Sequence, residues 1–266
     1  MGDKKESVRG KIIWALECFL KPLDYVHAFY EGGAAAFGRV DEWSDIDVYV
    51  VVDDGKVDST FVVVEEALRS VSPIGEKYPV QQLPWPGIFQ AFYRLRDASE
   101  YLLIDLAILQ LSSKEKFLEP QIHGDVVFHF NKSPRIKPAP FDMDEFAEKM
   151  RGRLERLQAR FKMFNIFVQK EINRGNSLEA IDLYYNITLA SLVEALRMKH
   201  NPMHYDFRMQ YAHYELPMET INKLQNLFFV ENIDDLQEKY RKTSEWFLET
   251  TSEIRNTKQI KQKRSR

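Results

Sequence analysis

The chain has 266 residues, 44% hydrophobic and 29% charged, with a formal net charge of −3. That length exceeds one small core and suits two domains, and the balance excludes a wholly disordered chain. No apolar run reaches the length of a membrane span, and the N-terminal stretch up to Lys11 is followed by Glu17 and no small-residue cleavage site. The single cysteine, Cys18, excludes an intramolecular disulfide framework and a cysteine-rich zinc site. These features predict a cytoplasmic protein with no membrane partner.

The charge is unevenly spread. The last twelve residues carry six basic side chains and no acid, so the preceding 254 residues bear a net charge of −9. An acidic body argues against a general nucleic-acid binder, and the basic tail reads as a solvated terminus.

Residues 8–20 place Ile12, Ile13, Leu16, Phe19 and Leu20 at helical spacing, closed by Pro22. Tyr25 to Tyr30 reads as a strand running into Gly32-Gly33. Residues 46–52 are rich in β-branched side chains and end in the turn residues Asp53-Asp54-Gly55. A helix over 59–70 follows, then strands over 88–96 and 101–109 joined through Asp97-Ala98-Ser99 as a hairpin. Pro134, Pro138 and Pro140 mark a linker, after which the period becomes helical. Residues from Phe146 to Ile172 form one long amphipathic stripe ended by Gly175. Asn176 with Glu179 predicts a capping box for a helix over 177–199, apolar on most sides and hence central. Pro217 opens a third helix and Leu236 to Ile254 form a fourth. The pattern predicts an α+β protein: a mixed sheet with flanking helices over 1–140, then a helical bundle with a basic tail over 141–266.

The stretch from Tyr30 to Val48 carries the chemistry. Side chains two apart on a strand share a face, so Asp45 and Asp47 point one way while Ile46 and Val48 enter the core. Two neighbouring carboxylates repel unless a cation lies between them, and Mg²⁺ favours such oxygen ligands while keeping positions open for water and phosphate. Upstream, Gly32 and Gly33 allow close backbone approach, and successive N–H groups can cradle phosphate oxygens. Asp105, in the middle of an apolar strand, needs a partner or a metal to justify its burial, with Arg94 as the alternative partner.

Paired glycines, about ten further residues, then Asp-hydrophobic-Asp-hydrophobic resemble the DNA polymerase β-type nucleotidyltransferase superfamily. Gly38 and the run Ser44-Asp45-Ile46-Asp47 are similar to its small-molecule branch, which includes aminoglycoside and lincosamide nucleotidyltransferases. The resemblance implies a catalytic domain followed by a substrate-binding helical domain. It implies Asp45, Asp47 and Asp105 as catalytic metal ligands for two Mg²⁺ ions. It places Gly32, Gly33, Ala34 and Ser44, with Arg39 beyond the loop, on the phosphates of ATP or another NTP. The implied reaction transfers a nucleoside monophosphate, AMP from ATP, to a hydroxyl of a small molecule and releases pyrophosphate. An acidic body suits a cationic acceptor such as an aminoglycoside. One departure is Ala34, where the family has serine, which removes a hydroxyl contact to phosphate worth about 1–3 kcal/mol.

Two other readings stand beside this one. The acceptor hydroxyl can belong to a protein, as in AMPylating or toxin–antitoxin nucleotidyltransferases; Arg197 and His204 faintly resemble the motif of the helical partner in such pairs. Alternatively, loss of the serine leaves a regulatory protein that binds nucleotide without turnover. Glu145, Asp182 and Glu194 are further general-base candidates, and a homodimer is possible. Six histidines give no zinc spacing, since Pro202 separates His200 from His204. Arg197, Lys199 and His200 suit a helix C-terminus; Trp85, Phe89, Phe92 and Tyr93 read as core, and Cys18 as a buried thiol.

Overall fold

A computed structural model describes residues 7–138 and 140–264, with side chains described as far as residue 256. The expected tail therefore lies largely outside the described side chains. The chain divides into two compact units, Met1–Phe141 and Asp142–Arg266.

The first unit runs α1 (Val8–Leu20), β1 (Val26–Glu31), α2 (Gly33–Ala36), β2 (Ile46–Val52), α3 (Val57–Val71), β3 (Ile74–Pro79), β4 (Ile88–Leu95), β5 (Ile104–Gln110), α4 (Pro120–His123) and β6 (Val127–Asn131). Six strands form one mixed sheet in the order β3-β4-β5-β2-β1-β6. The central pair β2 and β5 is parallel, and every other pair is antiparallel. Both edge strands escape the sequence pattern: β3 (IGEKYP) is nearly all exposed and β6 (VFHFN) mostly so, leaving little apolar alternation to detect.

Parity divides the sheet. On one face Phe29, Val48, Val50, Leu106 and Ile108 pack with Ile12, Leu16 and Leu20 of α1 and Val64 and Leu68 of α3. On the other, Ala28, Tyr30, Val51, Ala107 and Leu109 are covered by Leu118 and Ile136 from irregular segments beyond β5. Asp47 and Asp105 share the parity of this second face. Helix α1 buries a narrower stripe than its sequence predicts. Phe19 is exposed, and so is Cys18, which is a surface thiol rather than a buried one. Tyr93 is core as expected, but Trp85 and Phe89 are exposed.

The second unit is helical: α5 (Met143–Phe164), α6 (Ile166–Arg174), α7 (Ser177–Leu183), a π-helical segment Tyr184–Leu189, α8 (Ala190–His200), α9 (Ala212–Glu215), α10 (Met218–Phe228) and α11 (Ile233–Arg264). The expected single helix from Phe146 to Ile172 breaks at Asn165. That buried amide receives a bond from the Thr188 hydroxyl at 2.6 Å and donates to Tyr240 and Ser244 at 3.1 and 3.0 Å. The capping box does not form. Asn176 turns back to donate to Glu171 at 2.8 Å and makes no side-chain cap. Helix α8 is central, burying Leu192, Val193, Ala195 and Leu196, whereas Leu178 of α7 is exposed. Among the described residues, no helix is long and apolar enough to cross a membrane.

Arg197 on α8 is 0% exposed. Its guanidinium donates to the carbonyls of Arg208 and Gln210 and to Glu215 Oε2 at 2.7 Å. His204 Nδ1 meets the other Glu215 oxygen at 2.8 Å. Burial pushes the Glu215 carboxyl up, but bonds from Arg197 and His204 outweigh it and hold it below its ordinary value. Arg197 and His204 thus form an interior clamp on the 204–215 loop, and neither of the two residues that resemble the helical partner's motif is exposed. Arg197→Met should lower the unfolding free energy by about 3–5 kcal/mol, because Glu215 keeps a buried charge without its main partner. Urea titration checks this, and a loss below about 1 kcal/mol would contradict the clamp.

Candidate active site

The site is built on the second face of the first unit, at the ends of its two central strands. In the parallel register, Asp47 of β2 lies directly beside Asp105 of β5. Their apolar neighbours Ile46, Val48, Ile104 and Leu106 are fully buried on the opposite face, which fixes the two carboxylates on this one. Asp45 precedes β2 and is exposed.

The glycine loop sits immediately over Asp47. Gly32 N–H donates to the Asp47 carbonyl at 3.0 Å, joining loop to strand, and the Ala34 N–H donates to the Asp47 carboxylate. Gly33 adopts a left-handed φ of +52°, and a Cβ built on it would overlap Asp47 Oδ2. Glycine is required there on both counts.

Burial pushes the Asp47 carboxyl up from 3.8 to about 6, with further upward pushes from Asp105 and Asp45, while Arg9 and the Ala34 N–H pull it down. Asp105 is also raised, chiefly by burial; the Gln90 amide, donating to Oδ1 at 2.6 Å, opposes this and the Asp45 charge adds to it. Arg94, the alternative partner, instead meets Glu76 at 3.6 Å and the Glu100 carbonyl. Asp47 and Asp105, with the Asp45 charge acting on both, supply an all-oxygen donor set of the chemistry that a hard divalent cation takes.

The other expected residues of the first unit lie around the turn before Asp45. Ser44 donates to Asp41 Oδ1 at 2.7 Å and accepts the Asp41 N–H at 2.9 Å, shaping the turn before Asp45. Arg39 lies with its guanidinium 5.0 Å from the Phe37 ring centre. In the second unit, Glu194 is held by Arg153, Asp182 accepts from Asn186 at 2.8 Å, and Glu145 belongs to the first turn of α5.

Sequence reasoning missed the residues that support the loop. Arg9 of α1 donates to the Asp45 carbonyl at 2.7 Å and pairs with Glu31 at 2.6 Å. Glu31, 7% exposed, also meets His129 Nε2 at 2.9 Å. Burial raises the Glu31 carboxyl, but His129 and Arg9 together bring it below its ordinary value. Residues 9, 31, 45 and 129 have no local relation in the chain. Gln90 did carry a signal, an amide inside the apolar run of β4. Glu115, Glu119 and His123 also bring ligand atoms within 4.8 Å of one another, a closeness that, among the described residues, Asp45, Asp47 and Asp105 do not reach. Glu115 already accepts the N–H groups of Lys116 and Phe117 at 3.1 and 2.9 Å, and His123 packs edge-on against Phe117.

No protein-family model matches the chain, and no curated protein matches its sequence. Among solved structures, it is similar to an aminoglycoside 6-adenyltransferase from Bacillus subtilis at 14% identity, over 94% of this chain and 90% of that chain, with a TM-score of 0.33. A likeness that weak carries no inference about activity. The site itself has to do so.

Proposed function

We propose that this chain is a metal-dependent nucleotidyltransferase that transfers a nucleoside monophosphate, AMP from ATP, to a hydroxyl of a small molecule. The observation that carries the reading is the pairing of Asp47 with Asp105 on adjacent parallel strands beneath a loop whose Gly33 leaves no room for a side chain. The carboxylates of Asp45, Asp47 and Asp105 would hold Mg²⁺, two ions in the full reading. When bound, the metal neutralises triphosphate charge and makes the acceptor hydroxyl more acidic.

The chain's own contribution is placement. The Gly32 and Ala34 N–H groups hold the loop on Asp47, so of these three residues Gly33 is the one whose N–H would meet a phosphate oxygen. The acceptor oxygen forms a bond to the α-phosphorus as the bond to pyrophosphate breaks, and the hydroxyl proton passes to a carboxylate, Asp105 in this reading. The Gln90 amide, donating to Asp105 Oδ1, fixes the orientation of that carboxylate. Arg9 holds the Asp45 backbone, so the exposed carboxylate is anchored through its main chain.

The test uses purified protein, Mg²⁺ and α-labelled ATP with a panel of aminoglycosides and a cell extract, and Asp45→Asn as control. Label is expected in the small-molecule fraction and lost in the control. Label in protein would replace this reading with the protein-modifying one. ATP binding without transfer of label from any nucleotide would replace it with the regulatory one.

A further inference from the structure

We infer that the helical unit contains a binding site for a small organic anion with an aromatic or apolar body. It lies in a cavity of about 640 Å³ lined entirely by residues of that unit. The volume is typical of small-molecule sites. This inference does not depend on the transfer reading.

The floor comes from the π-helical segment, through Tyr185 and Leu189, and Phe228 and Tyr205 add aromatic wall. A π-turn widens a helix and occurs frequently at functional sites. Here it interrupts an otherwise regular run between α7 and α8 at the cavity. The Tyr185 hydroxyl donates to the Phe228 carbonyl, so these two walls are tied together.

The rim is a strained loop held from below. Arg208 and Tyr211 have left-handed φ values of 53° and 58°, which non-glycine residues keep only where surrounding structure enforces them. Buried Arg197 enforces this one by holding the Arg208 and Gln210 carbonyls. The loop therefore presents Tyr205, Asp206 and Arg208 to the cavity in a fixed conformation.

Charge selects the ligand class. Arg153 and Glu194 lie in the lining as a mutually satisfied pair. Among the described residues, Arg160 and Arg208 make no ion pair, so the lining presents two cations against one acid, Asp206. A guanidinium offers a fork of donors to a carboxylate, phosphate or sulfonate, while the aromatic wall covers the ligand's body. A polycation is disfavoured in this cavity.

Calorimetry on the full chain tests the assignment, with naphthalene sulfonate as the anionic probe, naphthalene methanol as its neutral counterpart and kanamycin as a polycation. The sulfonate should bind at least about tenfold more tightly than the alcohol, the difference expected for a charge-assisted contact. The double variant Arg160→Gln, Arg208→Gln should lose that preference while still binding the alcohol. Both arginines are exposed, and circular dichroism confirms that the variant folds. Kanamycin should not displace the sulfonate. Equal binding of sulfonate and alcohol, retained preference in the double variant, displacement by kanamycin, or no sulfonate binding at millimolar concentration would each overturn the inference.

Discussion

Asp47→Asn should stabilise the metal-free protein and abolish transfer. A carboxyl pushed from 3.8 up to about 6 holds its proton more tightly folded than unfolded. The native state therefore loses stability as pH rises from about 4 to 6 and carries a constant penalty above that, on the order of 1–3 kcal/mol. Below pH 4 both states are protonated and the penalty vanishes. Asparagine keeps the size and an acceptor for the Ala34 N–H but has no charge to bury. In chelator, the stability of the variant minus that of the wild type should grow between pH 4 and 7 by this amount, measured as urea midpoints across pH. Mg²⁺ should then stabilise the wild type at pH 8 and leave the variant unchanged. Transfer should fall on the order of a thousandfold or more. A difference that is flat with pH would show that burial and its acidic neighbours do not raise the Asp47 carboxyl, and full turnover in the variant would remove it from the site.

Gly33→Ala should be the most damaging substitution in the loop. Its φ of +52° makes any side chain unfavourable, by about 1 kcal/mol for alanine, and the new Cβ would overlap the Asp47 carboxylate. The carboxylate must move, and misplacement of a reacting group by an ångström can reduce rate about a hundredfold. Gly38→Ala separates the two effects. Gly38 also has a left-handed φ, +63°, but a Cβ there meets nothing within 4 Å. It should lose only the backbone increment of about 1 kcal/mol and keep its transfer rate. Equal rate losses in both variants would mean that loop conformation, rather than contact with Asp47, governs the site.

The local elements and the residue types of the site are legible in the sequence. Residues 8–20 and 46–52 form a helix and a strand at those bounds, because helical spacing and β-branched runs act within a few residues. The alternation around Asp45 and Asp47 fixed which neighbours enter the core. What those residues touch follows from packing between elements. Asp105 takes Gln90 rather than Arg94 because cross-strand register sets which side chains meet. The edge strands β3 and β6 form because a sheet edge supplies hydrogen-bond partners that their sequences do not announce. The break at Asn165 reflects a buried amide bonded to Thr188, Tyr240 and Ser244, a network spread over 80 positions of the chain. Arg9, Glu31 and His129 brace the loop through bonds across distances in sequence that no periodicity encodes. Periodicity records which face of an element is buried; the partner on that face is chosen by packing.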